Sequence, residues 1–588
     1  MIKFTIKKFY YDILVLGAGG AGLMAAVHAS RSGLKTACIS KVSPTRSHTV
    51  AAKGGINAAL GNVTKDDWRW HMYDTVRGGD WLGDQDAIEY MCQNASSVIL
   101  ELEKMGVPFS RGENGKIYQR IYGGQSSDFG KGKAPHRACA VADKTGHAIL
   151  HTLYQQAIKN KTSFFINHFA IDLIMDTDEC RGVVTWDIEN GEICIFRSHK
   201  LIIATGGYGQ AYETSTSSSI CTGDGGAMVL RAGLPLQDME FIQFHPTGLY
   251  GSGFLITEAA RSEGAFLINS DGERFMERYA PAYKDLAPRD VIARAMSQEI
   301  IEGRGTGANR DHLLLCLQHL DKETILKKLP AVYESSLTFA KVDPTIEAIP
   351  VLPSVHYTMG GIPTNKYCEV MSDDKKIIPG LLAIGEAACL SIHGANRLGC
   401  NSLLDLVVFG KLAVEHACKD FQPHKELRNE AEPAIEKINK LLSKKGGHKN
   451  HILKTELQKT MASYCGVFKN EELLTTGVKN LKQIFDQIIE GTNVSEKSLM
   501  WNNSLLEALE LENIALQALA TMELSLNRNE SRGSHFREDY PERNDRKWQK
   551  HSLIFIDDKG KSKISYRKVR NDTVDKSLPE FLPEKRKY

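Results

Sequence analysis

The first chemistry that the chain offers lies in Gly17-Ala18-Gly19-Gly20-Ala21-Gly22. This is GxGxxG placed directly after a short apolar run and opening a small-residue segment. In that context the glycines let backbone approach a dinucleotide pyrophosphate, and a helix N-terminus faces its negative charge. An acidic residue at the end of the next strand would hold an NAD ribose, but Ser40-Lys41 stands there, which lowers the case for NAD and leaves FAD open. Two further apolar runs end in glycine turns: residues 200–204 lead into Thr205-Gly206-Gly207, and residues 380–384 lead into Gly385-Glu386. With the first run they supply three strand ends, far apart in sequence, suited to converging on one ligand. The 12 cysteines show no CxxC pair, no zinc-like spacing and no cluster for iron–sulfur ligation, and read as reduced core residues of an intracellular compartment.

Residues 11–16 fit a buried parallel strand, 21–32 a small-residue helix and 36–40 a second strand, which together make a βαβ unit. Residues 241–355 are richer in turns and charge and read as an inserted lobe. Beyond about residue 420 the pattern becomes helical. Leu474, Val478, Leu481, Phe485 and Ile488 recur at i, i+4, i+7, i+11 and i+14, and Ile435, Ile438 and Leu442 do likewise before Gly446-Gly447 ends that helix. These predict helices packed on the main body. The stretch after about 535, with Arg537-Glu538-Asp539, is dense in both charge signs and predicts a solvated surface. No internal repeat at solenoid spacing is present.

A length of 588 residues corresponds to about four domain-sized units, enough for a full core around a large cofactor. Lys and Arg number 73 against 71 Asp and Glu, a formal charge of +2 that offers no bulk attraction to nucleic acid or anionic lipid. No nucleic-acid partner is expected. Lys3, Lys7 and Lys8 ahead of the uncharged run 13–27 superficially resemble a secretory signal. That run is too short for a membrane span, and its glycines have the better use above. No other apolar run reaches 18 residues, so membrane attachment is expected through partners.

One string settles the reading further: Ser43-Pro-Thr-Arg46-Ser47-His48-Thr49-Val-Ala-Ala-Lys53-Gly54-Gly55. It is followed in order by Ala142-Asp-Lys-Thr-Gly-His147, Cys221-Thr-Gly-Asp224-Gly, Phe244-His245-Pro-Thr-Gly248, Thr257-Glu258, Arg289-Asp290-Val, His356-Tyr-Thr-Met-Gly-Gly361, His393-Gly-Ala-Asn-Arg397-Leu-Gly, Asn401-Ser402-Leu403 and Glu530-Ser-Arg-Gly-Ser-His535. Nearly end to end, the chain resembles the succinate dehydrogenase/fumarate reductase flavoprotein family, and within it the flavoprotein subunit of succinate dehydrogenase, part of respiratory complex II.

The resemblance implies an α/β fold. A Rossmann-like FAD-binding domain comes in two parts, 1–240 and 356–420, around an inserted α+β capping domain, 241–355. A helical domain, 421–535, and a small C-terminal domain, 536–588, follow. It implies FAD bound covalently through its 8α-methyl to His48, which raises the flavin potential as a CH2–CH2 oxidation requires. Cofactor contacts are expected from Gly17, Ala18, Gly19, Gly20, Ala21, Gly22, Ser40, Lys41, Ser47, Thr49, Gly54 and Gly55, from Asp224 and Glu386 on FAD hydroxyls, and from Ser402 and Leu403 against the flavin. Substrate binding is assigned to His245, Thr257, His356 and Arg397, and proton transfer to Arg289 with Glu258 as relay partner. Planar guanidinium forks suit a dicarboxylate. Because the free pKa of arginine exceeds ~12, a base role for Arg289 calls for a desolvated site and a neighbouring carboxylate. No metal is expected.

Electrons from succinate oxidation must then leave through an iron–sulfur subunit and membrane anchor subunits that reduce quinone. The protein is thus expected to lie peripherally on a mitochondrial inner membrane, matrix side, or a bacterial inner membrane, cytoplasmic side. With ten residues before the first strand there is no room for a transit peptide, so a bacterial, processed or organelle-encoded chain is expected. Four positions depart from the family pattern: Lys53 for glutamine, Gln210 for arginine, Ser219 for histidine, and Cys400 at a small-residue site. Lys53 places a cation near the flavin, suited to favouring its reduced, anionic form. Fumarate reductase is the nearest rival, since the same residues bind both dicarboxylates, although Tyr122-Gly-Gly-Gln125-Ser looks more like the oxidising branch. An aspartate oxidase lacks the flavin-linking histidine context. A disulfide flavoenzyme would need a second nucleotide fingerprint and a cysteine pair, and a non-catalytic flavin-binding assembly subunit would have lost Arg289 and Arg397.

Overall fold

A computed structural model describes residues 4–418, 421, 429–444 and 446–586. Its main sheet runs Glu369–Met371, Ile377–Ala383, Glu192–Ile203, Ile6–Leu16, Thr36–Ser40, Ser163–Ile166. Along this order all neighbours are parallel except the first pair, and two further strands, His168–Asp176 and Glu179–Asp187, join the sheet antiparallel beside Glu192–Ile203. The three runs expected to end in glycine turns are therefore adjacent central strands. Ile13, Leu14 and Val15 have no exposed surface, as a parallel strand covered on both faces requires; truncating one such side chain costs about 2–5 kcal/mol. The first strand starts at Ile6, five residues before the expected start, because its outer half pairs with the remote segment around Ile193 to Arg197. The run 13–27 is thus a buried strand, turn and helix, and Lys7 pairs with Glu192 at 2.5 Å.

The Gly20–Arg31 helix is rich in alanine and glycine, so it packs closely beneath the sheet. A Cβ at Gly410 would lie 2.8 Å from Ala21 O, which shows how near the Asn401–Ala417 helix crosses it.

Residues 242–358 build a second sheet, in the order Ile242–Leu249, Ile349–Thr358, Leu313–Cys316, Phe266–Ile268. It has its own core of Leu249, Ile256, Leu267, Phe275, Ile292, Leu313 and Val351. Helices Asn450–Tyr464, Glu471–Glu490 and Asn503–Asn527 form the later helical part. Leu474, Leu481, Phe485 and Ile488 are buried on one face of the second of these, with Val478 half-buried. The boundary placed near 420 lies outside the described residues. No helix among the described residues is long and apolar enough to cross a membrane.

The expectation of a solvated surface after 535 fails at Arg537, which is fully buried. Its guanidinium caps the end of the Asn503–Asn527 helix through Ser525 O (3.2 Å) and Leu526 O (3.1 Å) and pairs with Asp539 at 2.6 Å. The strands Lys550–Ile556 and Ser562–Lys568 then form an antiparallel hairpin joined to Leu236–Gln237.

Candidate active site

The turns that follow the three central strands line one continuous cavity. Gly17 sits at φ +111°, and a Cβ there would lie 2.2 Å from Ala204 O, so the crossing of two strand ends admits only glycine. Gly22 does not line the cavity, contrary to the sequence expectation. A Cβ on it would fall 1.9 Å from Gly17 O, so its service is to let the helix close onto the turn. Every other expected cofactor residue lines this space: Gly17, Ala18, Gly19, Gly20, Ala21, Ser40, Lys41, Ser47, His48, Thr49, Gly54, Gly55, Asp224, Glu386, Ser402 and Leu403.

The donor set suits FAD. His48 Nδ1 accepts from the Ser218 N–H at 3.2 Å, and burial lowers the imidazole to about 4, so the ring is neutral with Nε2 left over. Gln210 steadies that loop by donating to Ser217 O (3.2 Å) and Ser218 O (3.3 Å). Glu386 accepts from the Thr358 N–H at 3.0 Å and is raised to about 7 by burial. Asp224 accepts from Thr222 (2.8 Å) and Asn513 (2.9 Å) and pairs with Lys41 at 2.8 Å, and Lys41 is held in turn by Glu510 at 2.6 Å. Asp224 and Lys41 are thus as firmly bound to each other as they are open to a ligand. Nothing in the structure accounts for Ser219.

At the other end of the cavity, five segments contribute His245, Thr257 with Glu258, Arg289, His356 and Arg397. The strands Ile242–Leu249 and Ile349–Thr358 pair antiparallel, which sets the rings of His245 and His356 4.9 Å apart, edge to face. The N–H of Thr247 donates to His245 Nδ1 (3.2 Å) while its hydroxyl donates to Ile256 O (2.7 Å), so His245 presents Nε2–H. Burial first, then the surrounding guanidiniums, lower both imidazoles well below their ordinary range.

Arg289 opens the Arg289–Ile301 helix, and its Nε donates to Glu258 Oε2 at 2.8 Å. Glu258 also accepts from the Gly123 N–H (3.0 Å) and lies 3.8 Å from Arg261. Its carboxyl is lowered because these cations outweigh the opposing effect of burial.

Sequence reasoning missed Gln243. It is fully buried, and its Oε1 accepts from Arg289 (3.0 Å) and from Arg397 (3.1 Å). Its Nε2 donates to Asn396 Oδ1 (2.8 Å) and Arg397 O (2.7 Å). The available signal was its place two residues before His245, on the same face of one strand. Burial and the nearby Arg289 push Arg397 down to about 10, and its buried Nε has no partner. The guanidinium lies 4.5 Å over the Tyr357 ring. Two buried cations joined by a neutral amide, with one carboxylate on the Arg289 side and two neutral imidazoles beside them, form a receptor suited to an anion with more than one charge. Cys400 adopts φ +65° beside this site, and burial pushes its thiol up to about 12.

Residues 12–403 match the FAD binding domain family, and residues 454–588 match the fumarate reductase flavoprotein C-terminal family. The succinate dehydrogenase flavoprotein subunit of Rickettsia bellii is 56% identical, covering 100% of both chains. The mitochondrial succinate dehydrogenase [ubiquinone] flavoprotein subunit of Oryza sativa subsp. japonica is 52% identical, over 100% of this chain and 94% of its own. A solved E. coli quinol fumarate reductase chain is 36% identical, with a TM-score of 0.91 over 98% of this chain and 99% of that one.

Proposed function

Because the chain belongs to the family of succinate dehydrogenase flavoprotein subunits, we propose that it oxidises succinate to fumarate in the cavity shared by the glycine turns and the two arginines. The observation that carries this reading is the pairing of Arg289 and Arg397 through Gln243, beside two uncharged histidines. Arg397 and the His356 ring hold one carboxylate, and Thr257 and His245 Nε2–H hold the other. Two charged ends so fixed leave the central carbons a single orientation.

Gly17 to Ala21 and the His48 loop would hold FAD, which when bound would supply the acceptor for the hydride equivalent. Arg289 moves the accompanying proton. Glu258 on its Nε stabilises the guanidinium in its working position and opens a route toward Arg261. His48 is the residue for a covalent 8α link, because its Nδ1 is already engaged by Ser218 and its Nε2 remains.

All described cysteines are single thiols, buried or nearly so, and electrons leave to a separate iron–sulfur subunit. That subunit and quinone-binding anchors place the protein peripherally on a bacterial inner membrane, cytoplasmic side, or a mitochondrial inner membrane, matrix side. Fumarate reduction uses the same contacts in reverse, but the fumarate reductase relatives are the more distant ones.

Malonate, a shorter dicarboxylate without the reactive CH2–CH2 bond, tests the reading. In FAD-loaded protein it should inhibit succinate-dependent dye reduction competitively. Failure of succinate to reduce the dye would contradict the reading.

A further inference from the structure

Two residues with no part in the proposed chemistry grip the ends of one short cap helix, Pro330–Ser335. Asp143, from the nucleotide-binding lobe, accepts through Oδ2 from the N–H groups of Ala331 (2.9 Å) and Val332 (3.1 Å). Lys53, from the loop of His48, donates at the opposite end to Ser335 Oγ (3.0 Å) and to Leu255 O (3.3 Å). Asp143 has the sign that the N-terminus of this segment favours, and Lys53 meets it where the helix passes directly into the π-helical turn Ser336–Ala340. Phe254 lies over the Lys53 ammonium at 5.6 Å and stacks on Phe339 at 4.2 Å, so the lysine threads between two segments of the cap lip.

The geometry has a direct link to substrate. Leu255 stands two residues before Thr257 and three before Glu258, while Lys53 adjoins Gly54 and Gly55 on the cavity wall. A cation that joins the flavin loop to the substrate loop fixes both at once. The neutral glutamine that the family pattern places at 53 lacks that charge.

We propose that Lys53 and Asp143 form a two-point latch that holds the capping lobe closed, with Lys53 acting as a positioning residue for Thr257 and Glu258. The substrate part of this inference rests on the function proposed above, but the closure itself does not.

Hydrogen–deuterium exchange on the FAD-loaded chain tests closure without any dicarboxylate. In Lys53→Met, amides in 250–258 and 330–340 should exchange about ten-fold faster, as expected for losing a hydrogen bond to a charged group, and in Asp143→Asn, which keeps a neutral acceptor for Ala331 and Val332, by a smaller factor. The Gly20–Arg31 helix should keep its wild-type protection, and Lys53→Arg should restore most of the slow exchange. Ser335→Ala provides a milder opening should Asp143→Asn fold poorly. In steady state, KM for succinate should rise more than kcat falls in Lys53→Met. Wild-type exchange of both segments in Lys53→Met would overturn the latch. Absence of succinate oxidation in the wild type would instead overturn the proposed function and leave the exchange result intact.

Discussion

Glu258 Oε2 lies 2.8 Å from Arg289 Nε, and the same carboxylate is pinned by the backbone N–H of Gly123. Glu258→Gln keeps an acceptor for Gly123 but removes the charge opposite Arg289. The expected result is a fall in kcat of about 10²–10⁴-fold with a far smaller change in KM, because proton movement and not binding is lost. Steady-state kinetics with succinate and an artificial electron acceptor give both constants.

Gln243 separates two effects that are usually confounded. Gln243→Leu strips Arg289 and Arg397 of their shared acceptor, and stability should fall by about 1–3 kcal/mol, with a raised KM. Gln243→Glu supplies a negative charge between the two buried cations but sets an oxygen against the Asn396 Oδ1 and Arg397 O that Nε2 now serves, so its gain in charge pairing is offset while the binding of a dianion weakens. Thermal melts should therefore show a smaller loss of stability in Gln243→Glu than in Gln243→Leu, and KM should rise in both.

The pH profile follows from the buried groups. His245 and His356 sit well below their usual range and carry no charge between pH 6 and 8, so neither should add an inflection there. Arg397, brought down to about 10 by burial and by Arg289, is a cation below that pH and loses its charge as pH rises through it. Accordingly kcat/KM should hold level through neutrality and then fall about ten-fold per unit above that point. A pH series of initial rates checks this.

His48 decides how the cofactor is held. After denaturing electrophoresis, the wild-type chain should fluoresce as a flavoprotein, and a labelled peptide should contain His48. His48→Ala should release its flavin into acid supernatant while the glycine cradle still binds FAD in the native state.

The cofactor end was legible from local signals, because a strand, a glycine turn and a small-residue helix are encoded within a few neighbouring positions. The dicarboxylate end was not. His245, Arg289, His356 and Arg397 come from separate segments whose meeting depends on sheet pairing, and only the resemblance to a family joined them. No spacing rule finds an amide that serves two arginines, so Gln243 escaped. Gly22 was assigned to the ligand when its missing side chain serves helix packing. Arg537 was read as surface because charge density says nothing of a nearby helix end in need of a cap. The outer half of the first strand was missed for the same reason: its partner lies around Ile193, far along the chain.

The central claim is that Arg289 moves the proton while Arg397 holds the dianion. Succinate oxidation and malonate affinity measured together on Arg289→Gln and Arg397→Gln test it most directly. Arg289→Gln should abolish turnover while malonate still binds within about ten-fold of wild type, and Arg397→Gln should lose malonate affinity by a larger factor. Near-normal succinate oxidation in Arg289→Gln, or undiminished malonate binding in Arg397→Gln, would contradict the account.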